Sequence, residues 1–261
     1  MRSAQIWYYQ FGRTNLRGRQ RVISIPAIGE ERSGLIGRLL PFIAHHRLNA
    51  GDRLPSEREL AERFSVGRGA VREALAVLET LRIIERRPNS GIYLRSVERQ
   101  SSIEAIVLQA ELGIPLTEAE VREVVELRRI LEMQAVRLAA ERRKPEDIQR
   151  LDEILDRTDG VIAARGNPAD EDAAFHLAMV EATGNHVFLR VVNAFYLMSR
   201  SRRRAYFADG NRAPLSQRQH RAMRNAVAAG DPDAAEAAMG GHLRGVESYW
   251  MELLERRARG N

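Results

Sequence analysis

No cysteine occurs anywhere in the 261 residues, which excludes both a disulfide framework and thiolate metal ligation. No apolar run approaches the ~18–20 residues that cross a bilayer, so no membrane partner is expected. The first 25 residues carry Arg13, Arg17, Arg19 and Arg21 but no apolar block and no small-residue cleavage site. They read as neither signal peptide nor anchor. No internal repeat or low-complexity tract is evident. These absences point to a cytoplasmic protein, and a hydrophobic fraction of 44% provides for a real core.

The net charge of +6 is unevenly spread. Residues 1–100 hold 18 arginines against 10 acidic residues, whereas the remainder holds 23 basic and 25 acidic ones. The basic excess therefore belongs to the N-terminal part, as expected if that part meets phosphate. A solvated basic face would give the same count, so charge alone does not decide.

Residues 1–27 show no sustained period and read as a flexible extension. An amphipathic helix is expected from Glu30 to His46, kinked or broken at Pro41. Gly51-Asp52 is a turn, and two short helices follow it. A hairpin then runs from Ile83 to Arg87, through Pro88-Asn89-Ser90-Gly91, to Ile92–Arg95. This unit is assigned to 28–96 and a charged linker to 97–103. Everything beyond, 104–257, reads as helix: a short one in 101–112, then Thr117–Glu141, Pro145–Ala164, Pro168–Thr183, Asn185–Tyr206, Leu215–Ala229 and Pro232–Arg256. The breaks between them are brief, which implies antiparallel neighbours. The expected fold class is mostly α, an N-terminal winged helix-turn-helix followed by an all-α antiparallel helical bundle.

Ser56-Glu57-Arg58-Glu59 has the form of a capping box, and Leu60, Ala61 and Phe64 give its helix an apolar face. Ser65-Val66-Gly67 must turn sharply into a second helix that buries Val71, Ala74, Leu75 and Leu78. The second helix of such a unit can enter a major groove. Arg68 and Arg72 are four apart and project together from its N-terminal end, where free amides also favour phosphate. Arg58 lies where it reaches flanking backbone, and the hairpin tip suits a minor groove. The competing reading pairs these arginines with Glu62, Glu73 and Glu79. Helix, turn, helix and hairpin in this order favour double-stranded DNA.

The run Gly51-Asp52-Arg53-Leu54-Pro55-Ser56-Glu57-Arg58-Glu59-Leu60-Ala61, continuing to Val71-Arg72-Glu73-Ala74-Leu75, resembles the winged-helix domain of GntR-family regulators. The resemblance implies DNA contacts from Arg58, Arg68, Gly69 and Arg72, with Gly91 at the wing tip. The family usually has hydroxyl residues at the position of Gly67, and hydroxyls or proline at those of Gly69 and Ala70. Here the helix start lacks them, and glycine caps at a cost of a few tenths of a kcal/mol.

Of six histidines, His45 and His46 end the first helix and His186 follows a capping Asn185. The other three form a pattern. Asp172 and His176 are four apart and point the same way. His220 and His242 each lie eleven residues from Asp231, so on an antiparallel pair they stand level, ~16 Å from the turn. One carboxylate and three imidazoles would suit zinc, nickel or manganese. Taken singly, each histidine reads better as a satisfied polar residue than as a ligand; the level match and the Asp172/His176 spacing bring the two readings level.

Asp172-Ala173-Ala174-Phe175-His176 and His220…Gly230-Asp231…His242-Leu243 resemble the FCD ligand-binding domain of FadR-type GntR proteins. The resemblance implies a divalent metal on Asp172, His176, His220 and His242. Glu126-Leu127-Arg128-Arg129-Ile130-Leu131-Glu132 is similar to that domain's opening helix, which implies that Arg128 faces an effector carboxylate. A surface ion pair with Glu132 is the alternative. The whole reads as a homodimeric, acid-responsive transcription regulator, a repressor rather than an enzyme. The alternatives are a metal-dependent hydrolase carrying an accessory DNA-binding segment, disfavoured by the lack of a further general base, and an architectural or RNA-binding protein.

Overall fold

A computed structural model describes residues 30–46, 48–96, 100–114 and 116–258; the extension read at 1–27 lies outside them, as do residues 97–99 of the expected linker. The architecture is predominantly helical with one two-stranded sheet, as the periodicity predicts.

Helix α1 (Glu30–His45) runs through Pro41 as a single element. It buries Leu35, Ile36, Leu39, Leu40 and Ile43, the i, i+1, i+4 stripe of an amphipathic helix. Helix α2 (Glu57–Phe64) begins with the expected capping box: Ser56 N donates to Glu59 Oε2 at 2.7 Å, and Glu59 N to Ser56 Oγ at 3.3 Å. It ends on Ser65 in the left-handed region, φ 53°. Helix α3 (Arg68–Thr80) follows, its N-cap Gly67 supplying no side-chain bond. Strands β1 (Ile84–Arg87) and β2 (Gly91–Leu94) pair antiparallel, with Ile84 opposite Leu94 and Arg87 opposite Gly91. Leu54 N donates to Ile92 O at 2.8 Å, so the segment before α2 is laced to the hairpin.

Helix α4 (Ile103–Glu111) has two apolar faces. Ala105 and Leu108 join the core of α1–α3 and the hairpin, while Val107 packs with Val192, Phe195 and Tyr196. The bundle then comprises α5 (Glu118–Arg142), α6 (Pro145–Ala163), α7 (Ala169–Glu181), α8 (His186–Met198), α9 (Arg200–Tyr206), α10 (Arg212–Ala229) and α11 (Pro232–Ala258). Helix α5 packs on α11, α10 and α7, and α6 on α7 and α10. Their shared core includes Val136, Leu151, Leu155, Phe175, Met179, Met223 and Leu243.

Two local devices set the positions of the buried polar side chains in this bundle. The α10–α11 turn closes on Gly230 at φ 71°, where a Cβ would also collide with the Arg143 guanidinium. That guanidinium caps carbonyls of Ala140 and Ala228 at 2.8 and 3.3 Å, tying the end of α5 to the end of α10, and the left-handed backbone at 230 favours glycine. Second, the single helix expected over 185–206 is broken at Ser199 (φ −97°, ψ 3°). Arg203 Nη1 donates to Tyr196 O at 2.7 Å, occupying a carbonyl that a continuous helix would use.

Candidate DNA-binding face and buried histidine centre

Gly67, Arg68 and Gly69 are exposed at the start of α3, and Arg72 follows one turn later. A Cβ at Gly69 would meet nothing within 4 Å. Packing therefore does not demand glycine there, and the backbone is open to close approach. The Arg72 guanidinium is not free: its Nε donates to Glu57 Oε2 at 2.8 Å, across from α2. Glu57 was not among the partners expected for it. Arg58 lies 3.9 Å from Glu62 with both side chains largely exposed, a pair worth little. Gly91 has φ 133°, and a Cβ there would sit 2.7 Å from Arg53 Nε. Local geometry alone thus accounts for that glycine, whatever the hairpin tip contacts.

The second region lies inside the bundle. Helices α7, α10 and α11 bring Asp172, His176, His220 and His242 together, each at most 4% exposed. One ligand-type atom from each lies within 4.8 Å of all the others. The levels counted along α10 and α11 hold: the His220 and His242 ring centroids are 4.9 Å apart. His220 stacks on Phe175 at 4.2 Å and 11°, which fixes its ring plane. Its Nε2 is 3.5 Å from Asp172 Oδ1. By contrast, His46 is exposed, and His186 heads α8 behind the Asn185 cap, away from this cluster.

The outer contacts orient the rings. His242 Nδ1 meets Gln219 Oε1 at 2.9 Å, which assigns the ring proton to Nδ1 and leaves Nε2 buried with no partner. His176 Nδ1 lies 2.5 Å from Glu132 Oε2, off the line of an ideal hydrogen bond, and its Nε2 is likewise unpartnered. Burial first, then the neighbouring imidazoles, pushes His220 and His242 well below the ordinary histidine range. Neutral rings with inward lone pairs are what a divalent cation needs, so the donor set fits one.

Glu132 is not on the surface, where the alternative reading of Arg128 would put it. The pair with Arg128 exists, Nε to Oε1 at 2.6 Å, but it is buried. Glu132 also accepts from Tyr196 Oη at 2.6 Å. Burial would raise its pKa; the charges of Arg128 and His176 and these hydrogen bonds hold it well below the carboxylate range. Tyr196 in turn carries Arg203 stacked 4.8 Å over its ring. Arg128 Nη2 remains buried and unpartnered. It lines a cavity of about 40 Å³ together with Asp172, Phe195, Arg202, Arg203 and Trp250.

These shifts set a pH dependence. Below the ordinary histidine value of about 6.5 the unfolded chain takes up protons that folded His220 and His242 refuse, so stability falls with pH. Glu132 adds a second loss below about 4.5, where unfolded glutamate is protonated and the folded one is not. The melting temperature of metal-free protein should therefore drop from pH 7.5 to 5.5 and again towards pH 4. A flat profile across the first interval would mean the imidazoles are hydrated.

Among the described residues, no helix is long and apolar enough to cross a membrane. The profile for "Bacterial regulatory proteins, gntR family" matches residues 33–94, and that for the FCD domain matches 123–245. The chain is 33% identical to the HTH-type transcriptional regulator LutR of Bacillus subtilis, over 79% of this chain and 94% of that one. It is 30% identical to the putative L-lactate dehydrogenase operon regulatory protein of Escherichia coli, over 85% and 87%. The solved structure of Lar, described as controlling the agr system of Listeria monocytogenes, shares the fold, with TM-score 0.58 and 17% identity over 85% of this chain and 97% of that one. The chain is thus a DNA-binding transcription regulator, not an enzyme, and belongs to the GntR family with an FCD domain behind its winged helix.

Proposed function

We propose that this regulator holds a divalent metal, zinc, nickel or manganese, on Asp172, His176, His220 and His242, and that a small organic acid bound beside it changes operator affinity. The observation that carries this reading is the pairing of two unsatisfied features: inward imidazole nitrogens around Asp172, and a bare Arg128 Nη2 on the adjoining cavity. The metal would supply a Lewis-acidic seat for a carboxylate, and Arg128 a charged hydrogen bond to it. A cavity of about 40 Å³ has room for roughly three waters, which keeps the acid short. One relative's name, an L-lactate dehydrogenase operon regulator, places hydroxy acids among the first to try.

On DNA, Arg58, Arg68, Gly69 and Arg72 form the contact face, with the tip at Gly91 alongside. Residues 28–96 act as the DNA-binding unit, 97–103 as the linker and 104–257 as the effector unit. Two-fold operators require paired recognition helices, so the working form is a cytoplasmic homodimer acting as a repressor. The acid acts through its differential affinity for the DNA-competent and DNA-released states.

A thermal-shift screen of short hydroxy and keto acids, with and without each metal, tests the effector site. A hit that requires metal and then shifts operator affinity supports the reading; acids that bind equally well to metal-free protein overturn it. For the DNA face, Arg68→Ala and Arg72→Ala should each weaken operator binding by ~1–3 kcal/mol if they read bases. Fluorescence anisotropy at fixed salt measures this, and unchanged affinity in both would move the recognition helix elsewhere. Arg72→Ala should cost the less of the two, because Arg72 gives up its Glu57 bond to reach DNA.

A further inference from the structure

Helix α9 carries four arginines, and three of them are satisfied. Arg200 and Arg204 are exposed and share Asp170, at 3.4 and 3.0 Å. Arg203 is buried but donates to Tyr196 O, Ser199 Oγ and Ala169 O, with Asp172 Oδ2 at 3.9 Å. Arg202 differs. Its Nη2 is buried without a hydrogen-bond partner, and the charge acting on it is that of Arg203, of the same sign. Burial and that neighbour both weaken its hold on its proton. Arg202 is half-buried as a whole, but a guanidinium nitrogen shut away from water with no hydrogen-bond partner is costly, so its retention needs a reason.

Arg202 lines the same cavity as Arg128, whose own Nη2 is bare and which is more than nine-tenths buried. The carboxylates around them are already accounted for. Asp172 belongs to the histidine cluster, and Glu132 is tied to Arg128 from behind. Glu247 also lines the cavity but makes no hydrogen bond to Arg202 Nη2. Three guanidiniums thus balance three carboxylates, and imidazoles that bind a metal do so as neutral rings. A divalent ion on that cluster leaves two positive charges uncompensated. A dianion cancels them, whereas a monocarboxylate leaves one behind in a site walled by Val121, Phe195 and Trp250.

We propose that Arg202 is a second anion-binding group of this cavity, and that the effector is a short acid with two carboxylates. One carboxylate sits at the metal and Arg128, and the other on Arg202. This rests on the reading of the cavity as an acid site and adds the class of acid.

Lactate and tartronate are matched probes: both are three-carbon 2-hydroxy acids, and tartronate replaces the methyl by a second carboxylate. Isothermal titration of each into metal-saturated, full-length protein gives the ratio of their dissociation constants. In wild type, tartronate should bind ten- to a hundredfold tighter, the range of a buried charge-assisted pair. Arg202→Gln should collapse that ratio at least tenfold, and Arg202→Lys, which keeps the charge but not the fork, should give an intermediate value. Comparing ratios between variants cancels the acids' own difference in metal affinity. A ratio unchanged in Arg202→Gln, or lactate binding as tightly as tartronate in wild type, overturns the second subsite while leaving the acid site standing. Binding of neither acid, nor of any other short acid, removes both.

Discussion

His220→Ala protein should retain less than about a tenth of the divalent metal that wild type carries after dialysis, measured by elemental analysis. The magnitude follows from the place of His220 in the cluster. Its ring completes a near-equilateral triangle of imidazoles, with centroids 5.0 Å from His176 and 4.9 Å from His242, those two being 5.2 Å apart, and its Nε2 is 3.5 Å from Asp172 Oδ1. Without it a bound ion would lose one of its four protein donors, and water must enter a site that is 2% exposed. Binding energy in such a site is partly folding energy, so metal should no longer raise the melting temperature of the variant. His220→Gln separates lost ligation from lost volume, because it keeps bulk against Phe175 without a matched donor. The winged helix should stay folded in both, since its core is a separate cluster around Leu60, Leu75, Leu78 and Ile84. Binding to non-specific DNA reads that directly. Full metal occupancy in either variant would remove His220 from the site.

Local signals survive into the structure where they depend on near neighbours. The Ser56–Glu59 capping box and the turn at Ser65–Gly67 need no tertiary information, and neither does the i, i+4 alignment of Asp172 with His176. The level match of His220 and His242 was legible because one turn, closed by Gly230, lets residues be counted outward along two helices. What stayed hidden depends on distant atoms. Glu132 is spaced for a surface pair with Arg128, and nothing in its own helix says that α5 turns this charged face inward to His176 and Tyr196. The break at Ser199 arises because Arg203 reaches back to the Tyr196 carbonyl, a contact that helical periodicity does not encode. Arg72 finds its partner fifteen residues away, on the preceding helix. Helix α4, read as a short helix beside a linker, sends alternate side chains into two different cores. Arg202 looks like one more basic residue in a charged run until its surroundings are seen.

Glu132→Ala should be the most destabilising single substitution at the centre, by ~3–5 kcal/mol, the usual cost of removing one partner of a buried ion pair. No allowance for solvent screening applies, because Arg128 is 9% exposed and Glu132 2%. The loss has several parts. Arg128 is left with a full charge and no carboxylate bonded to it, Tyr196 Oη loses its acceptor, and His176 Nδ1 loses the oxygen 2.5 Å away. Denaturant unfolding of metal-free protein is the right measurement, since bound metal would mask part of the effect. Glu132→Gln keeps an acceptor for Tyr196 and should recover some of the stability but not the charge balance. A double-mutant cycle with Arg128→Met isolates the ionic part: once the guanidinium is gone, Glu132→Ala should cost at least about 2 kcal/mol less than in wild type. Additive losses in that cycle would mean that Arg128 answers to another counter-charge. A Glu132→Ala cost below about 1 kcal/mol would mean that water reaches the pair. Either result would weaken the case for Arg128 as the first contact of an incoming acid, because that case depends on a guanidinium held at a dry site with one nitrogen left unpaired.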